Sequence, residues 1–257
     1  VWEEGSPDPT IVSQLNLVKY TSDAYYFFKN SFDQDSYDDA GSNMVSVDNA
    51  VEINCPLGAY WNSDTKATYF CSEMTMDDII GHEWGHAYTE FKTHLINGGQ
   101  SGAILEGFCD IWGETIDLLN GDDDGPTDQS VRNDTCYYGT SQSARWVIGE
   151  DLLDNNPIFL SFGLFLLQFR DMWNLTCYGN PASVSDPMYF CGSNEYQVKY
   201  INSGVVTHGY ALLVDGGKFN GRVINGIGLV KAAHIFWQAQ EYLDGNSKFV
   251  DLANALV

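Results

Sequence analysis

An α+β fold is expected, with a small strand-bearing part first and a mainly helical remainder. Alternation of apolar and polar residues, the period of a half-buried strand, occurs at 44–53 and 67–71. Helical spacing of apolar residues governs 10–30 and the later stretches 75–93, 102–119 and 226–239. Strands gathered early and helices late predict segregated elements rather than alternating βαβ units. A chain of 257 residues, 44% hydrophobic, is long enough for one large domain or two lobes with a proper core.

Taken in order, residues 1–9 read as an extended lead-in. The helix at 10–30 places Ile11, Leu15, Val18, Tyr25 and Phe28 on one face. The acidic loop 31–42 contains Asp33-Gln34-Asp35 but lacks the Gly and terminal Glu of an EF-hand loop, so it reads as solvated. Between the two strands lies Gly58-Ala59-Tyr60-Trp61-Asn62. Thr75-Met76-Asp77-Asp78 has the form of a capping box opening the next helix, with Asp78 as its acid. The helix 102–119 ends at Asn120-Gly121, and Asp122-Asp123-Asp124 reads as a solvated charge run. The apolar stretch 157–169 is too short to span a membrane and reads as buried. Residues 249–257 begin a last helix.

Net charge and cysteines bound the setting. A net charge of -23 argues against nucleic acid and anionic membrane surfaces as partners, and suits calcium or an extracellular medium. Six cysteines without a Cys-x-x-Cys argue for disulfides rather than a metal knuckle. Pairing by proximity joins Cys55 to Cys71 and Cys177 to Cys191, and leaves Cys109 with Cys136. The sequons Asn133-Asp134-Thr135 and Asn174-Leu175-Thr176 add to an expectation of secretion. A first residue Val1, with no signal-peptide pattern behind it, points to a processed or trimmed product.

The chemistry centres on Gly81-His82-Glu83-Trp84-Gly85-His86. On a helix, His82 and His86 share a face and can point at one metal ion, with Glu83 beside it to act on a water. Two core histidines around an acid would spell the same letters, so the context decides. Glu106 follows His86 after 19 residues, room for a turn at Gly98-Gly99 and an antiparallel return. It then supplies the third ligand of a two-His, one-Glu zinc site with an open position. Asp110, one turn on, is placed to accept the free ring N–H of a zinc histidine. His94, His208 and His234 read as structural or surface residues.

His-Glu-x-x-His, the 19-residue gap and Glu-x-x-x-Asp together resemble the thermolysin-like neutral metallopeptidases. The aminopeptidase branch has a gap shorter by one. The astacin branch needs a third histidine where this chain has Lys92. The resemblance spans about 10–257, most strongly 58–120 and 195–240, and lacks the first part of the family's β-rich lobe. It implies two lobes with the zinc site between them. A shortened helix/β part would cover 1–74, the zinc helix 75–93 and a mainly helical lobe 94–257. Gly58-Ala59-Tyr60-Trp61 resembles the substrate edge strand, with Ala59 pairing to an extended peptide and Gly58 in place of the usual Asn.

The same resemblance implies Arg170 as the arginine that fixes the substrate carbonyl. It implies Ile79, Ile148, Leu152 and Phe169 around a pocket for a bulky hydrophobic residue after the cut. It implies one calcium, on Asp78, Glu114, Asp117, Glu150 and the carbonyl of Val147. Arg145 stands where a second calcium would draw an Asp. By register on Asn202-Ser203-Gly204, Tyr200 occupies the place of the family's transition-state histidine, and Glu195 that of its acidic partner. Leu105 and Asn97 also depart from the usual Asn and Tyr. The expectation is therefore a secreted zinc endopeptidase of reduced activity, acting on peptides, with a cleaved pro-segment among its partners. The alternative is a zinc-containing peptide-binding or structural protein with little turnover, which retention of Glu83 disfavours.

Overall fold

The computed structural model describes residues 3, 5–50, 55, 58–121, 131–132, 135–137, 143–151 and 170–257. Helix α1, Val12–Phe32, leads into a three-stranded sheet of β1 (Val45–Asp48), β2 (Ala59–Asn62) and β3 (Ala67–Phe70). The spatial order is β1-β3-β2, with β1 parallel and β2 antiparallel to β3, so β2 is an edge strand as expected. Two long helices follow, α2 (Asp77–Thr93) and α3 (Gly99–Asn120). A short ladder pairs β4 (Val147–Ile148) with β5 (Arg170–Asp171), Ile148 opposite Arg170. The remainder is α4 (Glu195–Asn202), α5 (Gly204–Asp215), the hairpin β6 (Gly217–Phe219) and β7 (Arg222–Ile224), α6 (Leu229–Ala239) and α7 (Phe249–Ala255).

The helices α2 and α3 are the frame for the rest. They cross at backbone contact: a Cβ added at Gly81 would sit 3.0 Å from the Cα of Gly113, and one at Gly85 3.1 Å from the Cα of Cys109. Only residues without side chains let two helices approach so closely. This side of α2 carries His82, and the facing side of α3 carries Glu106 and Asp110. On the far side, aromatic rings close the core. Phe28 of α1 stacks on Tyr88 of α2 at 3.7 Å, and Phe32 on Trp237 of α6 at 4.5 Å. Trp112 is wholly buried among them, and Trp84, also wholly buried, packs instead against Tyr37 and Trp61. Each such ring removes roughly 150–250 Å² from water, so this cluster contributes substantially to stability.

Several local expectations are corrected. Met76, not Thr75, is the residue before α2, and no side chain caps that end. The Thr75 hydroxyl instead donates to the Ser72 carbonyl, and Asp78 is drawn into a buried acidic cluster. Cys136 pairs with Cys177, while Cys191 is exposed and Cys109 buried, both as thiols. Of the three bridges expected by proximity, Cys55–Cys71 is formed. Cys109 lies against Gly85 at the helix crossing, while Cys136 is taken by Cys177. The stretch 157–169, the run 122–124 and Asn133 lie outside the described residues. At the second sequon, Thr176 donates to Asn174 Oδ1 at 2.8 Å.

Candidate metal centre

His82 and His86 lie one turn apart on α2 and face Glu106 on α3. Glu106 Oε2 is 3.5 Å from His82 Nε2 and 3.6 Å from His86 Nε2. Zinc bonds of about 2.0–2.2 Å in a tetrahedron require ligand separations of about 3.3–3.6 Å, so both separations from Glu106 are those of ligands on one zinc ion. Glu106 is wholly buried, and its Oε2 has no hydrogen-bond partner among the described residues. A buried carboxylate oxygen left without a donor is costly, and a cation is the partner that the site's shape admits. The donor set therefore fits zinc. Burial holds His86 neutral, its pKa lowered to about 3, in the form that can ligate a metal. Burial opposes the charging of His82, but Asp110 and Glu106 outweigh it and raise the pKa to about 9. Metal binding would have to displace that proton.

Asp110 does two jobs. Its Oδ1 lies 2.8 Å from His82 Nδ1, which fixes the ring so that Nε2 faces Glu106. Both its oxygens also accept from the Arg170 guanidinium, Nε to Oδ2 at 2.7 Å and Nη2 to Oδ1 at 2.5 Å. Burial opposes the charge on Asp110, yet Arg170 and His82 hold its pKa below the usual carboxylate range. Arg170, at the start of β5, thus bridges the ordered acid and the cleft it lines.

That cleft has a volume of about 480 Å³ and is walled by β2 on one side and α4 on the other. Glu83 points into it and accepts from the backbone N–H of Trp61 at 2.9 Å. Burial, then the nearby Glu106 charge, raises Glu83 to about 7 against the opposing pull of His82. A carboxyl near neutrality is suited to take and return a proton. Trp61 is further held by its indole N–H on Glu90 at 2.8 Å. Ala59 and Ile79 line the same cleft, as do Leu105 and Asn97. Ile148 is wholly buried against Arg170, while Leu152 and Phe169 lie outside the described residues.

Tyr200 lines the cleft beside Tyr196, with ring centroids 4.6 Å apart. Burial, then the carboxylates Glu106 and Glu83, pushes its hydroxyl well up, so it stays a neutral donor. Glu195 is exposed at the start of α4, its Oε2 against Gly98 rather than facing Tyr200. His208 is buried in α5 with Nδ1 3.0 Å from the Met172 carbonyl, and His234 packs on Phe32. Both fit the structural reading.

Sequence reasoning missed Lys199. Its Nζ donates to Glu106 Oε1 at 2.6 Å, inside the site. The signal was present as spacing: Tyr196, Lys199 and Tyr200 share one face of a helix, and a lysine flanked by two rings there has a place prepared for it. The buried thiol of Cys109 was also missed as a neighbour. Its sulfur and one nitrogen each of His82 and His86 lie within 4.8 Å of one another.

A second group of acids lies at the outer end of the helix pair. Asp78, Glu114, Asp117 and Glu150 are all buried. Asp78 accepts from the N–H of Gly149 and of Ile79, each at 2.6 Å, and Glu114 accepts from the N–H of Trp146. Burial, then its neighbour Asp77, raises Asp78 to about 8. Burial and the three other acids push Glu150 well up, and its Oε2 has no hydrogen-bond partner among the described residues. Buried carboxylates that repel one another need protons or a cation, and hard oxygens of this number suit calcium. Val147 is buried in the adjoining strand β4. Arg145 is held by a two-point ion pair to Asp215, at 2.8 and 2.9 Å.

Comparison with known proteins agrees with this geometry. Residues 93–257 match the family described as thermolysin metallopeptidase, alpha-helical domain. A zinc metalloproteinase of Renibacterium salmoninarum is 34% identical over 212 residues, covering 79% of this chain and 33% of that protein. Thermolysin of Alicyclobacillus acidocaldarius subsp. acidocaldarius is 28% identical over 245 residues, covering 93% of this chain and 39% of that protein. The chain thus spans about a third to two fifths of the length of these relatives. The solved precursor of protealysin, a metalloproteinase from Serratia proteamaculans, superimposes with a TM-score of 0.72 at 21% identity, over 100% of this chain and 74% of that one. That likeness supports the α+β, two-lobe fold expected from sequence. With the family matched over residues 93–257 and a zinc metalloproteinase 34% identical over 79% of the chain, the chain belongs to the thermolysin metallopeptidase family.

Proposed function

We propose that the chain is a secreted, zinc-dependent endopeptidase. The observation that carries this reading is Glu106 Oε2, buried without a donor and equidistant from two imidazole nitrogens. His82, His86 and Glu106 would hold the zinc. Zinc held there supplies Lewis acidity, which makes a water acidic near neutral pH and polarises a carbonyl. Glu83 takes the water's proton as it attacks the scissile carbonyl and returns it to the leaving amine. Arg170, which lines the cleft beside Glu83, donates to that carbonyl. The Tyr200 hydroxyl serves as a neutral, weaker substitute for a charged donor.

An extended peptide would add to the exposed edge of β2 at Ala59, beside Trp61. Ile79, Ile148, Leu152 and Phe169 would favour a bulky hydrophobic residue after the cut. One calcium would bind Asp78, Glu114, Asp117, Glu150 and the Val147 carbonyl. Glu195 would act on Tyr200 only indirectly, from its exposed place on α4. A cleaved pro-segment is a proposed partner, in line with the precursor form of the similar solved structure.

The test is cleavage of a quenched peptide with Leu or Phe after the cut, with and without a zinc chelator, beside metal analysis. Chelator-sensitive cleavage with one zinc per chain is expected. Glu83→Gln should keep zinc and lose about 100- to 10,000-fold in kcat. Bound zinc with no cleavage of any peptide in a broad library would favour the binding or structural reading instead.

A further inference from the structure

We infer that Lys199 is a positioning residue that makes Glu106 a one-oxygen metal ligand. The inference rests on the zinc reading above, but its observations are separate. The two oxygens of Glu106 have different surroundings. Oε1 takes the Lys199 ammonium at 2.6 Å, whereas Oε2 faces the two histidines, with His82 Nε2 at 3.5 Å and His86 Nε2 at 3.6 Å. A carboxylate occupied on one oxygen by an ammonium has only the other to offer a metal. Without that ammonium, both oxygens of a buried carboxylate are free to close on one cation, and the group is free to rotate about its terminal torsion.

Lys199 is held in place as closely as it holds Glu106. Its side chain is nearly buried, and its Nζ lies 4.4 Å from the centre of the Tyr200 ring and 6.0 Å from that of Tyr196. Ring faces stabilise a desolvated ammonium. Room for its stem is made on α3, one turn before the ligand. A Cβ added at Gly102 would meet the Lys199 Cβ at 3.2 Å. Each cation also has its own close ion pair, Arg170 with Asp110 and Lys199 with Glu106. A lone surface lysine would need none of these arrangements. A compact point charge on a long stem suits this task, since a planar fork would span both oxygens.

The experiment compares the whole chain with Lys199→Met, each loaded with cobalt(II) in place of zinc, and reads the visible d–d absorption alongside kcat and KM. The parent should give the intense bands of four-coordinate cobalt. Lys199→Met should give the weaker bands of a higher coordination number as Glu106 closes on the metal with both oxygens. With zinc, kcat should fall about 10- to 100-fold, the usual effect of losing a partner of a metal ligand, while KM changes little. Lys199→Arg should recover part of both signals. If Lys199→Met does not fold, Lys199→Leu, which likewise leaves Oε1 without a donor, takes its place with the same expected direction. A cobalt spectrum identical in parent and variant overturns the inference, whatever happens to kcat. A parent that takes up neither metal overturns the zinc reading and this inference together.

Discussion

Asp110→Asn separates the two roles of a single buried carboxylate. Asp110 offers one oxygen to His82 and both to Arg170, and no part of it reaches solvent. Asparagine preserves the volume but removes the charge and turns one acceptor into a donor. Either His82 Nδ1 or one arm of the guanidinium then faces an amide N–H. Arg170 is itself buried, and its charge would lose its two-point carboxylate partner. Breaking a buried pair by removing one partner costs about 3–5 kcal/mol. Glu106, which also acts electrostatically on Arg170, should recover part of that, so the low end applies. For a chain of this size, about 3 kcal/mol corresponds to a fall in Tm of roughly 6–12 °C. Zinc affinity should drop about 10- to 100-fold, because the ring of His82 loses its anchor. Thermal unfolding followed by circular dichroism gives the first quantity, and competition with a chromogenic chelator the second. A variant melting within about 2 °C of the parent, with unchanged zinc affinity, would refute the assigned pairing.

Three further outcomes are expected. In a chelator that removes calcium, stability should fall as pH rises from about 4 to about 8, because the folded chain holds a proton on Asp78 that the unfolded chain releases. Added calcium should flatten that dependence, and identical melting curves at both pH values with and without calcium would count against the cation site. Tyr200→His should raise kcat, by up to about 100- to 1000-fold if a charged donor is what the site lacks; no gain would show that the surroundings of position 200, not its identity, limit turnover. Under native conditions a thiol reagent should modify Cys191 quickly and Cys109 only on unfolding, since Cys191 is exposed while burial pushes the Cys109 thiol well up. Fast reaction of both, by mass spectrometry of the labelled peptides, would contradict the packing of α3 on α2.

What the sequence made legible follows a physical division. Elements with a strong period were found nearly in place: α1, read at 10–30, runs Val12–Phe32, and α3, read at 102–119, runs Gly99–Asn120. His82, His86, Glu106 and Asp110 were legible because one helical face and one return turn fix their relation. Lys199 and Cys109 were not, since their roles come from how α4 and α2 lie on α3, which no local pattern encodes. The pairing of Cys136 with Cys177 escaped for the same reason: the partners are 41 residues apart and meet only when β4 and β5 pair. The capping box failed because a competing use of Asp78, in a buried acidic cluster, outweighed what one cap contributes, about 1 kcal/mol.

The glycine crossing of α2 and α3 has a consequence for how this site tolerates change. Where backbone rests on backbone, the spacing of the two helices is a hard stop rather than a cushion of side chains. Enlarging or trimming Phe28 or Trp237 can loosen the assembly, yet neither ring stands between the backbones that set Glu106 relative to His82. The aromatic core and the metal ligands are therefore mechanically decoupled. Drift in the first alters how long the molecule survives, while the second keeps its gauge until the whole fold gives way.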